Sequence, residues 1–416
     1  MIKEEPVHIF SETGRLRKVI IHTPGPEIEN MTPGNAERAL YSDILNLQVA
    51  REEYAPFRRI LELFSEVYEV KALLKTVLEN NRIRENLVRS ICENEEQASA
   101  IDTLMSLSPD VLSKQLIEGI PMIKDTLTRY LSKDRFSLKP LHNLFFTRDT
   151  GAGIFGHFFS SRMATRVRAR EASLMEFVFR HHPAFQVNKL VSNASVKEPR
   201  AMFEGGDIQV VSEEILLMGN GVRTSSEGID LIIQEITRYH HAPLHIIVQE
   251  LPPEPESFIH LDMVFTMLDE HQCMIYEPVI LHPSLYQTVL ISAEGGKVKK
   301  IRHIENIPAG LRMLGLDLDI LYCGGRKDPW IQQREQWHSG ANFFAVAPGK
   351  VLGYARNVHT LEELNNRGYE VIPADDVVLG KKDPIKTVKC VITLSGSELA
   401  RGGGGARCMT LPLDRD

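Results

Sequence analysis

The first 70 residues alternate between strand-like and helix-like arrangements of apolar residues. The segment LRKVIIHTPGPE predicts a strand followed by a turn, and VYEVKAL predicts a second strand. Between them, LQVAREEYAPFRRILELF carries apolar residues at helical spacing. Strands and helices that alternate along a chain in this way are typical of an α/β fold.

The pattern changes over residues 73–131. Alternation of β-branched residues almost disappears there, and apolar residues such as Leu112, Leu116 and Ile120 recur at helical spacing. We therefore expect a helical block at this place. The expected organisation is an α/β catalytic domain formed by residues 1–72 and 139–416, with a helical insertion at residues 73–138 between them.

Helix ends are marked at two places. Ser108 and Pro109 predict a helix start, because a serine oxygen can accept a hydrogen bond from an unpaired first-turn amide and proline needs no donor there. Thr360 and Glu363 have the spacing of a capping box, before a short helix that we expect to end near Gly368.

Short strands and turns return after residue 141, together with a helix in SSEGIDLIIQEITRYHH. Its predicted apolar stripe consists of Ile229, Ile232, Ile233 and Ile236. The passage LELFSEVYEV resembles LEELNNRGYEV near the other end, which indicates a repeated unit. A Rossmann fold is disfavoured because no G-x-G-x-x-G follows a strand, and GGGGAR lacks the G-K-[ST] ending of a P-loop.

Composition narrows the possible partners. The 416 residues are 43% hydrophobic and 25% charged, as in ordinary globular proteins. A net charge of -7 and a pI near 6.1 argue against binding to nucleic acid or to an anionic membrane. The start MIKEEPVHIF lacks the features of a signal peptide, so we expect a cytoplasmic protein with a small-molecule partner.

The cysteines are scattered and never form C-x-x-C, which disfavours a disulfide framework and a structural zinc site. We expect neither a metal nor a cofactor. Cys273 and Cys390 lie in apolar segments and are predicted to be buried. Cys408 instead follows a glycine run in ELARGGGGARCMTLPL, where a tight, exposed bend is expected. On these residues alone, a reactive nucleophile and an incidental thiol in a flexible tail are equal alternatives.

Two further segments contain acidic residues that could take part in catalysis or ligand binding. In SFIHLDMVFTMLD, His260 and Asp262 would share one face of an extended strand. In RAMFEGGDIQVV, Glu204 and Asp207 flank two glycines, where their carboxylates could approach a ligand closely. The alternatives are a histidine paired with a structural aspartate and a turn that uses Asp and Gly for conformation only.

A third segment, LHNLFFTRDT, places Asn143, Phe146, Arg148 and Asp149 within seven residues of one another. In isolation these are best explained as a solvated ion pair beside core phenylalanines. Together, however, a thiol, a histidine and several carboxylates suit nucleophilic attack on a cationic electrophile. A guanidinium fits this description, because two carboxylates can bind its planar array of donors while a thiolate attacks its central carbon.

The segments LHNLFFTRD, FEGGD, HLDMVFTMLD, REQWHSGANFFAVAPGKVLGYARN and ARGGGGARCMTLPL, in this order, resemble the arginine deiminase family of the guanidine-modifying (pentein) superfamily. The resemblance spans the chain. It implies a five-fold pseudosymmetric α/β propeller of ββαβ units with an inserted α-helical bundle. The implied reaction is hydrolysis of L-arginine to L-citrulline and ammonia through a covalent amidino adduct.

The resemblance also implies roles for individual residues. Cys408 would be the nucleophile, and His260 would act as general acid and then as general base. Asp149 and Asp262 would hold the guanidinium, and Glu204 would hydrogen-bond near His260. The predicted contacts with the rest of the substrate are made by Asn143, Phe146, Arg168, Asp207, Arg223, Arg401 and Arg407.

This sequence departs from the family pattern at three places. Thr23 stands where the family usually has arginine. Arg407 precedes the cysteine where many members have histidine; we expect its fixed charge to favour the thiolate and to extend activity to neutral or mildly alkaline pH. Gly403 replaces an arginine found in several members, which predicts a mobile loop that closes over the substrate.

Other functions remain open at this point. One alternative within the superfamily is a hydrolase of agmatine, methylarginine or peptidyl-arginine, and another is an amidinotransferase. A third alternative is a paralogue that binds arginine without catalysing a reaction. The resemblance further implies a homodimer or a larger homo-oligomer.

Overall fold

A computed structural model of the chain describes residues 7–32, 36, 40–41, 43–97, 100–185, 190–192, 198–282 and 286–416. Its helices, among these residues, are α1 (Pro26–Glu29), α2 (Leu47–Phe64), α3 (Val70–Leu78), α4 (Asn81–Asn94), α5 (Ile101–Met105), α6 (Pro109–Glu118), α7 (Leu127–Leu131), α8 (Arg166–His181), α9 (Ser226–Tyr239), α10 (Glu277–Ile280), α11 (Ile307–Met313), α12 (Pro329–Trp337), α13 (Val358–Asn366) and α14 (Ala374–Val378). None of these helices has both the length and the apolar character needed to span a membrane.

The strands of the described residues are short. They are β1 (Leu16–Ile21), β2 (Glu66–Glu69), β3 (Ile120–Pro121), β4 (Phe136–Leu138), β5 (Gly151–Ile154), β6 (His157–Ser160), β7 (Leu190–Val191), β8 (Ile208–Ser212), β9 (Ile215–Asn220), β10 (Leu244–Glu250), β11 (Phe265–Met267), β12 (Gln272–Ile275), β13 (Thr288–Glu294), β14 (Lys297–Ile304), β15 (Asp319–Tyr322), β16 (Phe344–Ala347), β17 (Lys350–Tyr354), β18 (Glu370–Pro373), β19 (Cys390–Leu394) and β20 (Leu411–Arg415).

One plan recurs in five sheets. A central strand pairs antiparallel with one neighbour and parallel with a later strand, from which at least one helix separates it along the chain. The five sets, each written with its central strand second, are β20–β1–β2, β5–β6–β7, β8–β9–β10, β11–β12–β15 and β16–β17–β19. This repetition agrees with the ββαβ units of the predicted fold. The hairpin β13–β14 extends the third set, and β18 extends the fifth.

The first unit is completed by the last strand of the described chain. Strand β20 pairs antiparallel with β1, with Ile20 opposite Leu411. Arg415 anchors β20 from within, because its buried guanidinium donates to the carbonyl oxygens of Gly14 at 2.8 Å and Ala345 at 2.6 Å. The segment that carries Cys408 is therefore fixed directly to the first strand.

The helical block lies where it was predicted, between β2 and β5. The prediction of a strand over VYEVKAL is wrong in its second half, because β2 ends at Glu69 and α3 begins at Val70. Val70, Leu73, Leu74 and Val77 are buried at helical spacing, and burial of this stripe favours the helix. The predicted place of Ile120 on a helix is also wrong: α6 ends at Glu118 and Ile120 lies in β3.

The helical block shares its core with the α/β part of the chain. Leu73 and Leu116 belong to the same buried hydrophobic cluster as Phe158 and Phe179 of the second unit. The division into residues 1–72, 73–138 and 139–416 stays a prediction.

The predicted helix ends are right in part. Ser108 Oγ accepts a hydrogen bond from the Val111 amide at 3.4 Å and Pro109 is the first helical residue, which confirms that start. The capping box at Thr360 is wrong, because α13 begins two residues earlier, at Val358. Thr360 is buried inside the helix and donates to Glu335 Oε2 at 2.6 Å.

Two other expectations about buried residues are confirmed. The four isoleucines of the predicted stripe are buried on α9. Cys273 and Cys390 are buried in β12 and β19, as predicted. The exposed bend predicted for Cys408 is wrong, since this residue is only 4% exposed.

Candidate active site

A cavity of about 270 Å³ lies between the loop of residues 402–408, here called the cysteine loop, and the turns that begin or end the strands of several units. Most of the predicted site residues line it: Asn143, Phe146, Asp149, Arg168, Arg223, His260, Arg401 and Cys408. Glu204 lies directly behind His260, whereas Asp207, Asp262 and Arg407 lie outside the lining. The structure therefore brings residues from distant segments of the chain to one place.

Cys408 sits in a turn just before β20. Its carbonyl oxygen accepts a hydrogen bond from the Arg148 amide at 3.0 Å. Its Sγ lies 3.2 Å from Asn342 Nδ2 and 3.9 Å from Asp262 Oδ2. The sulfur is thus held beside one amide donor and one carboxylate.

The glycines before Cys408 allow the backbone to pack closely. A Cβ on Gly404 would lie 2.5 Å from the Phe146 ring, and one on Gly405 would lie 2.5 Å from Asn342 Oδ1. Gly403 instead adopts a φ of +83°, in the left-handed region that favours glycine. The mobility that we expect for this loop stays a prediction.

The thiol form of Cys408 is favoured in this arrangement. Burial raises the pKa of Cys408 well above its ordinary value, and the charges of Asp262 and Asp149 raise it further. The charge of Arg407 lowers this pKa, which is the expected direction, but burial and the two carboxylates outweigh it.

The guanidinium of Arg407 points away from the cavity. Its Nη1 lies 2.8 Å from Asp262 Oδ2, and its Nε lies 3.1 Å from Glu12 Oε2. Two carboxylates therefore neutralise its charge. Arg407 holds the N-terminal segment and Asp262 together, and its predicted contact with the substrate is not supported by this position.

His260 precedes a single 3₁₀ turn, Leu261–Met263, so its predicted place on an extended strand is wrong. The turn forms because Asp207 Oδ1 accepts the Leu261 amide at 2.8 Å and the His260 carbonyl accepts the Met263 amide at 3.1 Å. As a result, the side chains of His260 and Asp262 do not share one wall. His260 faces the cavity, and Asp262 faces Arg407.

His260 forms an ion pair with Glu204. The Nε2 atom lies 3.0 Å from Glu204 Oε2, and Nδ1 lies 3.7 Å from Asp149 Oδ1. Burial opposes the charged imidazolium, but the charge of Asp149 and the hydrogen bond with Glu204 raise the pKa of His260 to about 9. Burial likewise opposes the Glu204 carboxylate, yet its hydrogen bond with His260 lowers the pKa of Glu204 to about 2. Both groups are charged at neutral pH.

Asp207 supports the site from outside the cavity. It is fully buried, and burial raises the pKa of its carboxyl group to about 7. Its hydrogen bond to the Leu261 amide shapes the turn after His260. The predicted direct contact with the substrate is not supported by this position, because Asp207 does not reach the cavity surface.

Arg168 binds acidic groups on both of its sides. Its Nη1 lies 2.6 Å from Asp149 Oδ2, and its Nε lies 2.9 Å from Glu171 Oε2. The second oxygen of Asp149, Oδ1, is buried and has no hydrogen-bond partner among the described residues. Asp149 thus keeps one acceptor directed to the region of His260.

Arg223 and Arg401 occupy different parts of the cavity. Arg223 is nearly buried; its Nη1 lies 3.8 Å from Glu204 Oε1 and has no hydrogen-bond partner among the described residues. Arg401 is 40% exposed at the mouth, where its Nε donates to Asp43 Oδ2 at 3.0 Å. Arg223 therefore has a spare donor inside the cavity, whereas Arg401 carries charge at the entrance.

Three residues of the site lie close enough together to be considered as metal ligands. One ligand atom each of Asp149, Glu204 and His260 lie within 4.8 Å of one another. Arg168 and Arg223 approach the same carboxylates, however, and His260 Nε2 is already bonded to Glu204. These cations compete with a metal for the same negative charge. The expectation of a metal-free site stays a prediction.

Asn342 was missed by the sequence analysis, although it lies within one of the segments that carry the resemblance. Its Oδ1 accepts the Arg407 amide at 2.9 Å, and its Nδ2 donates to the Asp262 carbonyl at 3.1 Å in addition to approaching Cys408. A single asparagine after a helix and a few small residues does not form a recognisable catalytic motif. Only its place in the segment REQWHSGANFFAVAPGKVLGYARN points to it.

Comparison with known proteins identifies the family. Residues 37–415 match the family model described as arginine deiminase. The chain is 31% identical over 432 residues to an arginine deiminase of Borrelia garinii subsp. bavariensis, covering 99% of this chain and 98% of the relative. The chain belongs to the arginine deiminase family. It is also 30% identical to an arginine deiminase of Clostridium perfringens, with 100% of both chains covered.

A solved structure supports the same fold. The dimethylarginine dimethylaminohydrolase of Pseudomonas aeruginosa, in complex with citrulline, superposes with a TM-score of 0.52 and 14% identity, covering 96% of this chain and 99% of that chain. At this identity the likeness concerns the fold alone. Together with the five repeated sheets, it confirms the predicted pentein fold of this arginine deiminase family member.

Proposed function

We propose that this protein hydrolyses L-arginine to L-citrulline and ammonia by covalent catalysis at Cys408. The observation that carries the proposal is that a thiol, an imidazole paired with a carboxylate and an Asp149 oxygen without a partner among the described residues line one cavity. Membership of the arginine deiminase family supports the choice of substrate. Each proposed role of a residue rests on its position in this cavity or directly beside it.

The guanidinium of the substrate is proposed to bind between Asp149, which lines the cavity, and Asp262, which lies outside the lining but has its Oδ2 3.9 Å from Cys408 Sγ. Each of these carboxylates has a buried Oδ1 atom without a hydrogen-bond partner among the described residues. A guanidinium can donate to both because its donors lie in one plane. Its positive charge would also offset the two carboxylates that raise the pKa of Cys408, so binding of the substrate itself would promote the thiolate.

In the first step, Cys408 loses its proton to solvent as the substrate binds, and the thiolate Sγ forms a bond to the central guanidinium carbon. The bond from this carbon to one terminal nitrogen breaks, and His260 gives a proton to that nitrogen, which leaves as ammonia. The remaining amidino group stays attached to the sulfur as a thiouronium. Glu204 keeps the imidazole oriented through its hydrogen bond to Nε2.

In the second step, the neutral His260 accepts a proton from a water molecule, and the oxygen adds to the amidino carbon. The carbon–sulfur bond then breaks, which leaves the ureido group of citrulline. The hydroxyl proton of the adduct passes to the sulfur and restores the thiol, while His260 keeps the proton taken from water and is again the charged general acid. The reaction consumes one water and needs no redox partner.

The other end of the substrate is proposed to bind at Arg223, Arg168 and Asn143. Arg223 has a spare Nη1 donor for the α-carboxylate. Arg168 is bonded to Asp149 and Glu171, so it would have to share its donors with the substrate. Phe146 lines the cavity between these groups and the cysteine loop and would pack on the methylene chain. Arg401 would close the mouth.

The pKa of His260 bears on the expected pH range. A pKa of about 9 keeps the general acid protonated through neutral pH. We therefore keep the expectation of activity at neutral and mildly alkaline pH, but we assign it to His260 and its carboxylates rather than to Arg407. A pH profile restricted to the acid side would contradict this assignment.

The test compares L-arginine, agmatine and N-methylarginine as substrates, with citrulline and ammonia measured separately. We expect citrulline and ammonia in equal amounts from L-arginine and far slower turnover of agmatine, which lacks the α-carboxylate. Cys408→Ala should abolish turnover, whereas Cys92→Ala, which alters a buried cysteine of the helical block, should retain it.

Other outcomes identify other functions. Faster turnover of agmatine or N-methylarginine would make the protein a different hydrolase. Transfer of the amidino group to an added amine, with ornithine as the second product, would make it an amidinotransferase. Binding of L-arginine without any product would indicate the non-catalytic alternative.

A further inference from the structure

A second cavity, of about 480 Å³, lies between the helical block and the N-terminal end of α8. Its polar wall includes Asn94, Glu95, Arg162, Arg166 and Arg170. None of these residues has a part in the proposed reaction. The lining contains three arginines and one glutamate, in a protein whose net charge is -7.

Helix α8 separates this cavity from the candidate active site. Arg166 and Arg170 are four residues apart and therefore share one face of the helix. Arg168 lies between them in sequence and on the other side, where it bonds to Asp149. The N-cap residue of α8, Thr165, makes no capping hydrogen bond with its side chain. The positive end of a 16-residue helix thus adds to the charge of the arginines.

Arg170 is the observation that points to a ligand. It lines the second cavity, it is only 6% exposed, and its Nε has no hydrogen-bond partner among the described residues. Its Nη1 lies 3.2 Å from Glu95 Oε1, and its Nη2 donates to the Lys139 carbonyl. Burial lowers the pKa of Arg170 in spite of the nearby Glu95 and Glu171, so its charge is incompletely compensated.

The other two arginines lie at the same wall. Arg162 donates to the carbonyl oxygens of Glu198 at 2.7 Å and Pro199 at 3.3 Å, which orient it there. Arg166 is exposed; it donates to the Asn94 carbonyl at 2.9 Å and lies 3.4 Å from Glu96 Oε1. An exposed pair of this kind contributes little, so Arg166 is available to another anion.

We propose that this cavity binds a small molecule that carries a phosphate group, with the phosphate between Arg166, Arg170 and the N-terminal end of α8. A phosphate has enough oxygens to accept from both guanidinium groups and from helix amides at once. The cavity is larger than a phosphate alone requires, and Ile91 and Met163 provide an apolar wall for the rest of the molecule.

The test measures binding of inorganic phosphate by calorimetry at constant ionic strength, without arginine present. We expect saturable binding to the wild type and a dissociation constant at least about tenfold weaker in Arg166→Ala. Arg170→Lys should weaken binding as well, because lysine lacks the planar fork. Arg312→Ala is the matched control, since Arg312 is an exposed arginine that pairs with Asp317 at another site, and its variant should bind as the wild type does.

The proposal is overturned by three results: no saturable binding to the wild type, an equal loss in Arg312→Ala, or a loss in Arg223→Ala with Arg166→Ala unaffected. The last result would place phosphate in the candidate active site. Because Arg166 is exposed, its variant should fold even if Arg170→Lys does not, and melting curves establish this. Phosphate should also raise the Tm of the wild type and not that of Arg166→Ala. No step of this test depends on the proposed deiminase activity.

Discussion

Asn342 Nδ2 lies 3.2 Å from Cys408 Sγ, while Asn342 Oδ1 accepts the amide of the preceding residue, Arg407, at 2.9 Å. One side chain therefore fixes the backbone before the sulfur and offers a donor to the sulfur itself. A donor at this position favours the thiolate over the thiol. Asn342 thus acts as a positioning residue for the proposed nucleophile.

Asn342→Asp separates these two tasks, because the aspartate keeps an acceptor for the backbone and loses the donor. We expect kcat to fall by about 10- to 100-fold, the effect of a lost hydrogen bond to a charged group. We also expect the pH profile to shift to higher pH and the alkylation of Cys408 by iodoacetamide to become slower. A merely structural role of Asn342 would explain neither result. Asn306→Asp, which alters a helix N-cap at another site, is the control. Unchanged alkylation in Asn342→Asp would contradict the assignment.

Asp262→Asn should change reactivity and activity in opposite directions. Asp262 raises the pKa of Cys408, so loss of its charge should speed alkylation of the enzyme in the absence of substrate. The same change removes a carboxylate proposed to hold the guanidinium, and turnover of arginine should fall steeply. Both rates are measured on one preparation, with Asp317→Asn as an exposed control. Slower alkylation together with slower turnover would show that Asp262 acts through the fold alone.

Two adjacent glycines of the cysteine loop should differ when each is changed to alanine. In Gly404→Ala the new Cβ would meet the Phe146 ring at 2.5 Å, so we expect displacement of that ring and a higher KM for arginine. In Gly403→Ala the Cβ would meet no described atom within 4 Å, and the φ of +83° imposes only backbone strain of about 1 kcal/mol. Steady-state kinetics and urea unfolding separate the two effects. A larger KM change in Gly403→Ala would instead favour the predicted mobility of the loop.

We expect the protein to become less stable at alkaline pH because of His22. Its ring bonds to Glu69 at 3.0 Å and Glu27 at 3.1 Å, close to Thr23, which occupies the place of the usual family arginine. Burial opposes the charged ring, but the hydrogen bonds with Glu27 and Glu69 raise the pKa of His22 from 6.5 to about 9. The stabilisation is fully present below pH 6.5 and is lost as the pH rises towards 9.

The loss should amount to about 3 kcal/mol in the free energy of unfolding. It should be absent in His22→Gln, which would be less stable at low pH and nearly independent of pH over this range. Urea unfolding at several pH values provides the measurement. His359→Gln, at an exposed histidine, should follow the wild type. An equally steep loss in His22→Gln would assign the effect to other groups.

The sequence predicts those elements that are stabilised by interactions within one segment of the chain. The amphipathic segment LQVAREEYAPFRRILELF forms α2 over the whole predicted range, and Asn46 caps it by accepting the Val49 amide. The turn after His260 could not be predicted, because it depends on the Asp207 carboxylate from a distant segment. The direction of the Arg407 guanidinium depends in the same way on Glu12.

The resemblance supplied most of the residues that line the cavity, but it could not place their partners. Arg168 was predicted to face the substrate, and its bond to Asp149 follows only from the packing of α8 against the turn before β5. Asn342 had no pattern at all. Contacts between distant segments therefore account for most of what the sequence analysis missed.

The pairing of β20 with β1 has a consequence during synthesis of the chain. Strand β1 emerges early, yet its antiparallel neighbour is made only after the other units. Until then one edge of β1 carries unpaired backbone groups, which can pair with other chains. The cavity is also incomplete over this period, because Cys408 takes its place only when β20 docks. A nascent chain therefore cannot react with its substrate before β20 docks, and the open edge of β1 can pair with other chains until then.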